Sequence, residues 1–360
     1  MNFNRLIVIW VFCTLLGGSL KSQVYTEQIE RAFRASSSTA VEVQNKYGIV
    51  HVETWKKDSV KISIDFRVEA NSQDKLNSVK NSIVFDFSPS KYKIQAVTTF
   101  SKARGLITEF VDAFVPSTQV VIDYTVYMPE KSPLIIKNKF GNIYLDELTG
   151  NVDIELSNGD LTANKLLGKT ELKLSSGDSE IEEIKDGTIL ISYGDLIIGK
   201  AENLNLETRS SKVKIERANQ LNIKSSRDKY NISQANKLRC EGSITTLKVD
   251  NLENEINCSL KYGGVSIDNI KKTFQFINLE SEYADIDLIF ERGSAYNLDV
   301  THHQDVNMIL PLQLAKIETK NIDADEKLML TYGTIGTADV NSPKLKITAL
   351  KKCVVSIIHK

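Results

Sequence analysis

The chain has 360 residues, with 45 Lys and Arg against 46 Asp and Glu, a formal net charge of −1 at pH 7. That balance leaves no basic footprint for nucleic acid, so a nucleic-acid partner is excluded. Hydrophobic residues make up 41% of the chain, so the core is expected to come from apolar burial.

Residues 1–22 carry a basic start at Arg5, an apolar run from Leu6 to Leu16, and the small residues Gly17, Gly18 and Ser19. This is the pattern of a secretory signal peptide. The apolar core of 11 residues is too short to span a bilayer of about 30 Å, and no later stretch is a membrane span. Cys13 lacks the small residues that precede a lipidated cysteine, so a lipid anchor is not expected. Removing Arg5 and Lys21 with the leader leaves 43 basic against 46 acidic residues, a net charge of −3. Cys240, Cys258 and Cys353 remain, an odd number that excludes a disulfide-stapled scaffold.

Residues 23–133 read as an N-terminal, mainly β capping region with one or two short helices. Val41, Val43, Asn45, Tyr47, Gly48, Val50 and Val52 alternate around a turn. Val60, Ile62, Ile64, Phe66 and Val68 alternate as a longer strand. Ser72 and Asp74 ahead of Leu76, Val79 and Ile83 suit a short amphipathic helix with an N-cap. Ile83–Phe87, Tyr92–Val97 and Val120–Met128 read as further strands. Between them, Leu106, Ile107, Phe110, Val111 and Phe114 fall at helical spacing, as a cap helix or flap would. Pro129 and Pro133 mark the junction.

From residue 134 to 360 one phrase recurs: Lys139–Phe140–Gly141–Asn142, then Ser157–Asn158–Gly159–Asp160, Ser175–Ser176–Gly177–Asp178 and Ser192–Tyr193–Gly194–Asp195. Taking glycine as anchor, the series continues through Ser211, Asp228, Thr245, Gly263 and Ala284, at spacings of 17 or 18 until a last step of 21. Five residues before each anchor stand Ile136, Ile154, Leu172, Ile189, Leu206, Ile223, Cys240, Cys258 and Leu279. Two more apolar columns run four and seven residues after it, from Leu145 to Leu288 and from Leu148 to Ile270. Alternation with period two makes these segments strands. The short repeat leaves no room for a crossover helix, so the expected fold is all-β: a parallel β-helix or β-roll solenoid of about nine coils, on the order of 40 Å long.

The corners at Gly48, Gly141, Gly159, Gly177, Gly194, Gly263 and Gly333 are read as structural, with glycine supplying positive φ. Four residues before the anchor, Lys137, Glu155 and Lys173, then Glu207, Lys224 and Glu241, alternate in sign on the outward face, a register device. Cys240 and Cys258 share a column in successive coils and are expected as stacked free thiols in the core. Beyond Ala284 the phase slips; Leu328, Leu330, Tyr332, Gly333 and Ile335 restore the phrase, and Leu345, Ile347 and Val354–Ile358 are placed to close the stack.

At this point the chain resembles the bacterial adhesin-like family of toast-rack (DUF4097) type, close to the adhesin-head β-helix proteins of Bacteroidetes. The residues that carry the resemblance are Asn45–Lys46–Tyr47–Gly48 with Trp55, Tyr124–Thr125–Val126–Tyr127–Met128–Pro129, and Asn138–Lys139–Phe140–Gly141–Asn142 through Leu148–Thr149–Gly150. The resemblance implies adhesion and brings no catalytic motif or ligand residue with it.

No catalytic, cofactor or metal residue is assigned. Glu182, Glu183 and Asp186 crowd one corner and Asp285 and Asp287 flank Ile286, without the defined roles a catalytic site needs. His302 and His303 are adjacent on a strand and face opposite ways, which argues against a shared zinc site. The expected function is an exported cell-envelope module, structural or adhesive, with a surface glycan or an envelope protein as partner. Competing readings are a periplasmic sensing or scaffolding partner and a glycan-active β-helix enzyme.

Overall fold

The computed structural model describes residues 22–101 and 118–360. The expected leader, Ser22 apart, and the helical spacing at 106–114 lie outside the described residues. Within them the chain is mostly β, one short helix and 22 strands joined in a single mixed, largely parallel sheet.

In chain order, β1 (Gln23–Arg34) is followed by β2 (Ala40–Lys46), β3 (Val50–Trp55) and β4 (Ser59–Ala70). Helix α1 (Gln73–Ser82) starts where Ser72 accepts a hydrogen bond from the Lys75 N–H at 3.4 Å, and it buries Leu76. It ends as Ile83 turns into β5 (Ile83–Pro89), which hairpins with β6 (Lys93–Phe100). β7 (Thr118–Pro129) pairs antiparallel with β4, and β4 with β1. The alternation in β4 turns Val60, Ile62, Ile64, Phe66 and Val68 into the core. Opposite Ile64 lies Tyr124, wholly buried, whose hydroxyl meets Thr98 at 2.7 Å; burial pushes that hydroxyl up to about 12.

The repeat begins with β8 (Leu134–Lys139) and β9 (Ile143–Leu145), continues in β10 (Val152–Ser157), β11 (Leu161–Ser175), β12 (Ser179–Ser192), β13 (Asp195–Arg209) and β14 (Lys212–Ser226), and runs through β15 (Lys229–Ile270) to β16 (Phe276–Phe290). Each segment pairs in parallel with the one a repeat further on. Ile136 thus lies beside Ile154, then Leu172, Ile189, Leu206, Ile223 and Cys240, in the column read from the sequence. No residue of the three columns is more than 5% exposed.

The early phrase at Val41–Val52 belongs to this stack. β2 pairs in parallel with β8 and β3 with β9, so the sheet runs unbroken across residue 133. On their other edges β2 and β3 carry β6 and β7. The chain therefore writes its second rung before its first.

The far end inverts the order in the same way. β17 (Tyr296–His303) and β18 (Asn307–Ile309) lead into the antiparallel pair β19 (Ala315–Asp323) and β20 (Leu328–Ile335). β20 also pairs antiparallel with β17, so the phrase around Gly333 is a return strand and makes no corner in the parallel stack. The last strands, β21 (Lys344–Ala349) and β22 (Val354–His359), lie between β16 on one side and β17 and β18 on the other.

Candidate functional site

Positive φ at the corners belongs to the residue before each anchor. Tyr47, Phe140, Asn158, Ser176, Tyr193, Ser210, Arg227, Ile244, Tyr262 and Tyr283 have φ between 53° and 68°. The expectation that Gly48, Gly141, Gly159, Gly177 and Gly194 supply it is therefore corrected; among the named glycines only Gly263 (114°) and Gly333 (148°) have positive φ. The anchor glycines answer a different demand. A Cβ on Gly177 would stand 2.0 Å from the Gly159 carbonyl oxygen, and the contact recurs at Gly141, Gly159 and Gly194. Left-handed corners bring successive backbones together, and at the corners from Tyr47 to Arg227 a bond from the corner N–H to the next rung holds them there, as from Tyr193 to the Arg209 carbonyl at 3.0 Å.

Where glycine gives way to Ser211, Asp228 and Thr245, a buried polar network occupies the corners, and the Thr245 carbonyl still closes on Gly263. Asp228, 2% exposed, accepts the Ser211 N–H and the Ser226 N–H, both at 2.8 Å, and the Ser225 hydroxyl at 2.7 Å. Thr208 joins Asp228 to the Tyr230 hydroxyl, which burial pushes up, and Ser225 reaches Thr245 at 2.7 Å. A buried carboxylate needs such donors. The sequence marked Asp228 only as a lost glycine; the small hydroxyl residues around it were the available signal.

Three of the five carboxylates considered for catalysis are engaged in structural contacts. Glu183 pairs with Lys200 at 2.7 Å, Asp186 accepts from Asn203 at 2.7 Å, and Asp285 accepts the Val354 N–H at 2.8 Å. His302 is buried and bonds Thr331, while His303 lies 3.6 Å from Asp305. Among the described residues no group of three His, Cys, Asp or Glu side chains is placed to hold a metal ion. Cys240, Cys258 and Cys353 are buried free thiols, and contact with Cys240 together with burial pushes the Cys258 thiol up.

The outward sheet face holds a shallow groove. Thr188, Asn205, Asn222 and Arg239 form one column and Leu190, Glu207, Lys224 and Glu241 the next, lining a groove of about 460 Å³. Asn222 donates to Asn205 at 2.9 Å along it. Lower in the stack the alternating charges are paired, Glu155 meeting Lys137 at 3.6 Å and Lys173 at 3.2 Å. Among the described residues no ion pair joins Glu207, Lys224 and Glu241.

No family model and no curated protein matches the chain. Solved structures similar to it include a candidate cell adhesion protein from Clostridium sporogenes, at 9% identity and a TM-score of 0.20, covering 93% of this chain and 100% of that one. A candidate adhesin from Bacteroides fragilis is 12% identical, with a TM-score of 0.27 and coverage of 93% and 97%. A candidate lipid-binding protein from Parabacteroides distasonis is 11% identical, with a TM-score of 0.23 and coverage of 72% and 92%. At these scores the likenesses carry no argument about what the chain binds. No helix of the described residues is long and apolar enough to cross a membrane.

Proposed function

We propose that the chain is an exported cell-envelope β-solenoid, a structural or adhesive module that binds through its long side and catalyses no reaction. The observation that carries this reading is the groove at Thr188–Glu241, where three successive outward charges lack the cross-rung ion pairs seen at Glu155. Ion pairs on an exposed parallel face set register. Leaving such groups unpaired in a concavity costs that help and keeps donors and acceptors free for an extended partner. The leader at residues 1–22 supports export, and the in-register stack supplies a rigid base for the face.

The test is protease shaving of intact cells that express the full chain, followed by binding of the shaved and unshaved cells to a polysaccharide-coated surface. Release of the protein together with loss of binding is expected. Protection of the protein inside the envelope would overturn the surface reading, and product formation from a polysaccharide panel would overturn the non-catalytic one.

A further inference from the structure

The left-handed corner column presents a second surface. L-residues pay for this conformation, Asn least and bulky or β-branched side chains most. Yet half of the ten corners from Tyr47 to Tyr283 carry an aromatic ring, and Ile244 adds a β-branched chain. Neither backbone preference nor core packing asks for rings there. Tyr47 stacks on Phe140 at 5.5 Å and Tyr262 on Tyr283 at 5.4 Å. Tyr193 differs. It is 59% exposed, and the corner residues on either side of it are Ser176 and Ser210, too small to cover its ring.

Beside that ring the charge pattern breaks. Asp195, Lys212 and Lys229 are successive cross-rung neighbours. Lys212 pairs with Asp195 at 3.5 Å, and the Asp178 carboxylate is engaged by the Asp195 N–H at 3.0 Å. Lys229 then faces a like charge, and Arg227, two corners above Tyr193, adds another; neither has an ion-pair partner among the described residues. Together these groups border an open recess of about 540 Å³. Opposite charges meet across rungs at Lys200 and Glu183 and at Lys261 and Glu282, whereas Lys200 faces Arg217 on its other side.

We propose that Tyr193, Arg227 and Lys229 form a subsite for an acidic polysaccharide, one sugar face resting on the Tyr193 ring and a uronate carboxylate held by Arg227 and Lys229. Two rung spacings, about 9.5 Å, separate the backbones of the Tyr193 and Arg227 corners, so the ligand is a chain whose neighbouring sugars reach both side chains. An uncovered aromatic face suits the apolar face of a pyranose, and the planar guanidinium suits a carboxylate. This rests on the binding-module reading and names its ligand class.

The experiment is titration of the full chain with polygalacturonate, alongside neutral dextran and polyglutamate. Polygalacturonate is expected to bind, dextran to bind weakly or not at all, and polyglutamate to bind less well because it offers no sugar face to Tyr193. Tyr193→Asn, Arg227→Asn and Lys229→Gln are each expected to weaken polygalacturonate binding about tenfold. Asn tolerates the left-handed corner, so the first two variants keep the fold, which unchanged thermal unfolding verifies. Equal binding of polyglutamate, or affinity untouched by Tyr193→Asn, would overturn the proposal. If polygalacturonate does not bind while cell shaving still releases the protein and its adhesion, the ligand class falls and the binding-module reading stands.

Discussion

Each corner divides its work between two neighbouring residues. Ser176 takes the left-handed turn, and Gly177 lets the Gly159 carbonyl come where a Cβ would lie. Substitution therefore has opposite consequences one position apart. Gly177→Ala puts a methyl group against backbone that cannot swing aside, and a cost of about 1–3 kcal/mol is expected, as for overpacking. Ser176→Gly relieves the left-handed penalty while loosening the unfolded chain, and is expected to stay within about 1 kcal/mol of wild type. Denaturant titration of the two variants distinguishes them; equal losses would mean that the turn and the close approach are one constraint. The glycine column was legible because its period is regular. Its cause was not, because a missing Cβ looks the same in sequence whether φ or a neighbouring backbone demands it.

On β22, His359 makes the strand's stability depend on pH near neutrality. His359 lies 3.0 Å from the Tyr296 hydroxyl and stacks on Phe290, and burial lowers its pKa below the ordinary 6.5. As pH falls through 6.5 the unfolded chain takes up a proton that the folded imidazole still refuses. The unfolded state then binds more protons, so stability declines from there downward, whereas above 6.5 the contribution is constant. Thermal unfolding between about pH 7.5 and 5.5 should show a smaller acid loss in His359→Phe than in wild type. An equal loss would place the sensitivity on another group. β15 offers a separate measurement. Cys240 and Cys258 are 1% and 2% exposed and unbridged. Thiol labelling of the native protein should leave both unmodified, and denaturation without reductant should release them together with Cys353. One reactive thiol in place of three would reveal a bridge. That these cysteines share a column was legible from their spacing; that their thiols touch depended on rotamers the sequence does not show.

Over the whole molecule, both ends of the stack are assembled out of chain order. β2 and β3 sit inside β6 and β7, and β21 and β22 fill the slot between β16 and the later-stacked β17 and β18. A chain truncated after Asn341 would leave β16 with an open edge, and open edges recruit other chains. Self-association in gel filtration and a broadened thermal transition are expected; a monomer with wild-type Tm would show that β21 and β22 are dispensable. The period and the inward columns follow from the residue order alone, because a shared interior accepts only apolar side chains at fixed offsets and a one-residue slip would expose them all. The alternation of β20 is equally plain in the sequence, where it matches another corner phrase. Period-two alternation serves a parallel or an antiparallel partner alike, and the choice falls to whichever edge the rest of the chain leaves free. The rung order at both ends, the carboxylate buried at Asp228 and the uncovered ring of Tyr193 were decided only by the tertiary structure, since each depends on which backbone arrives beside it.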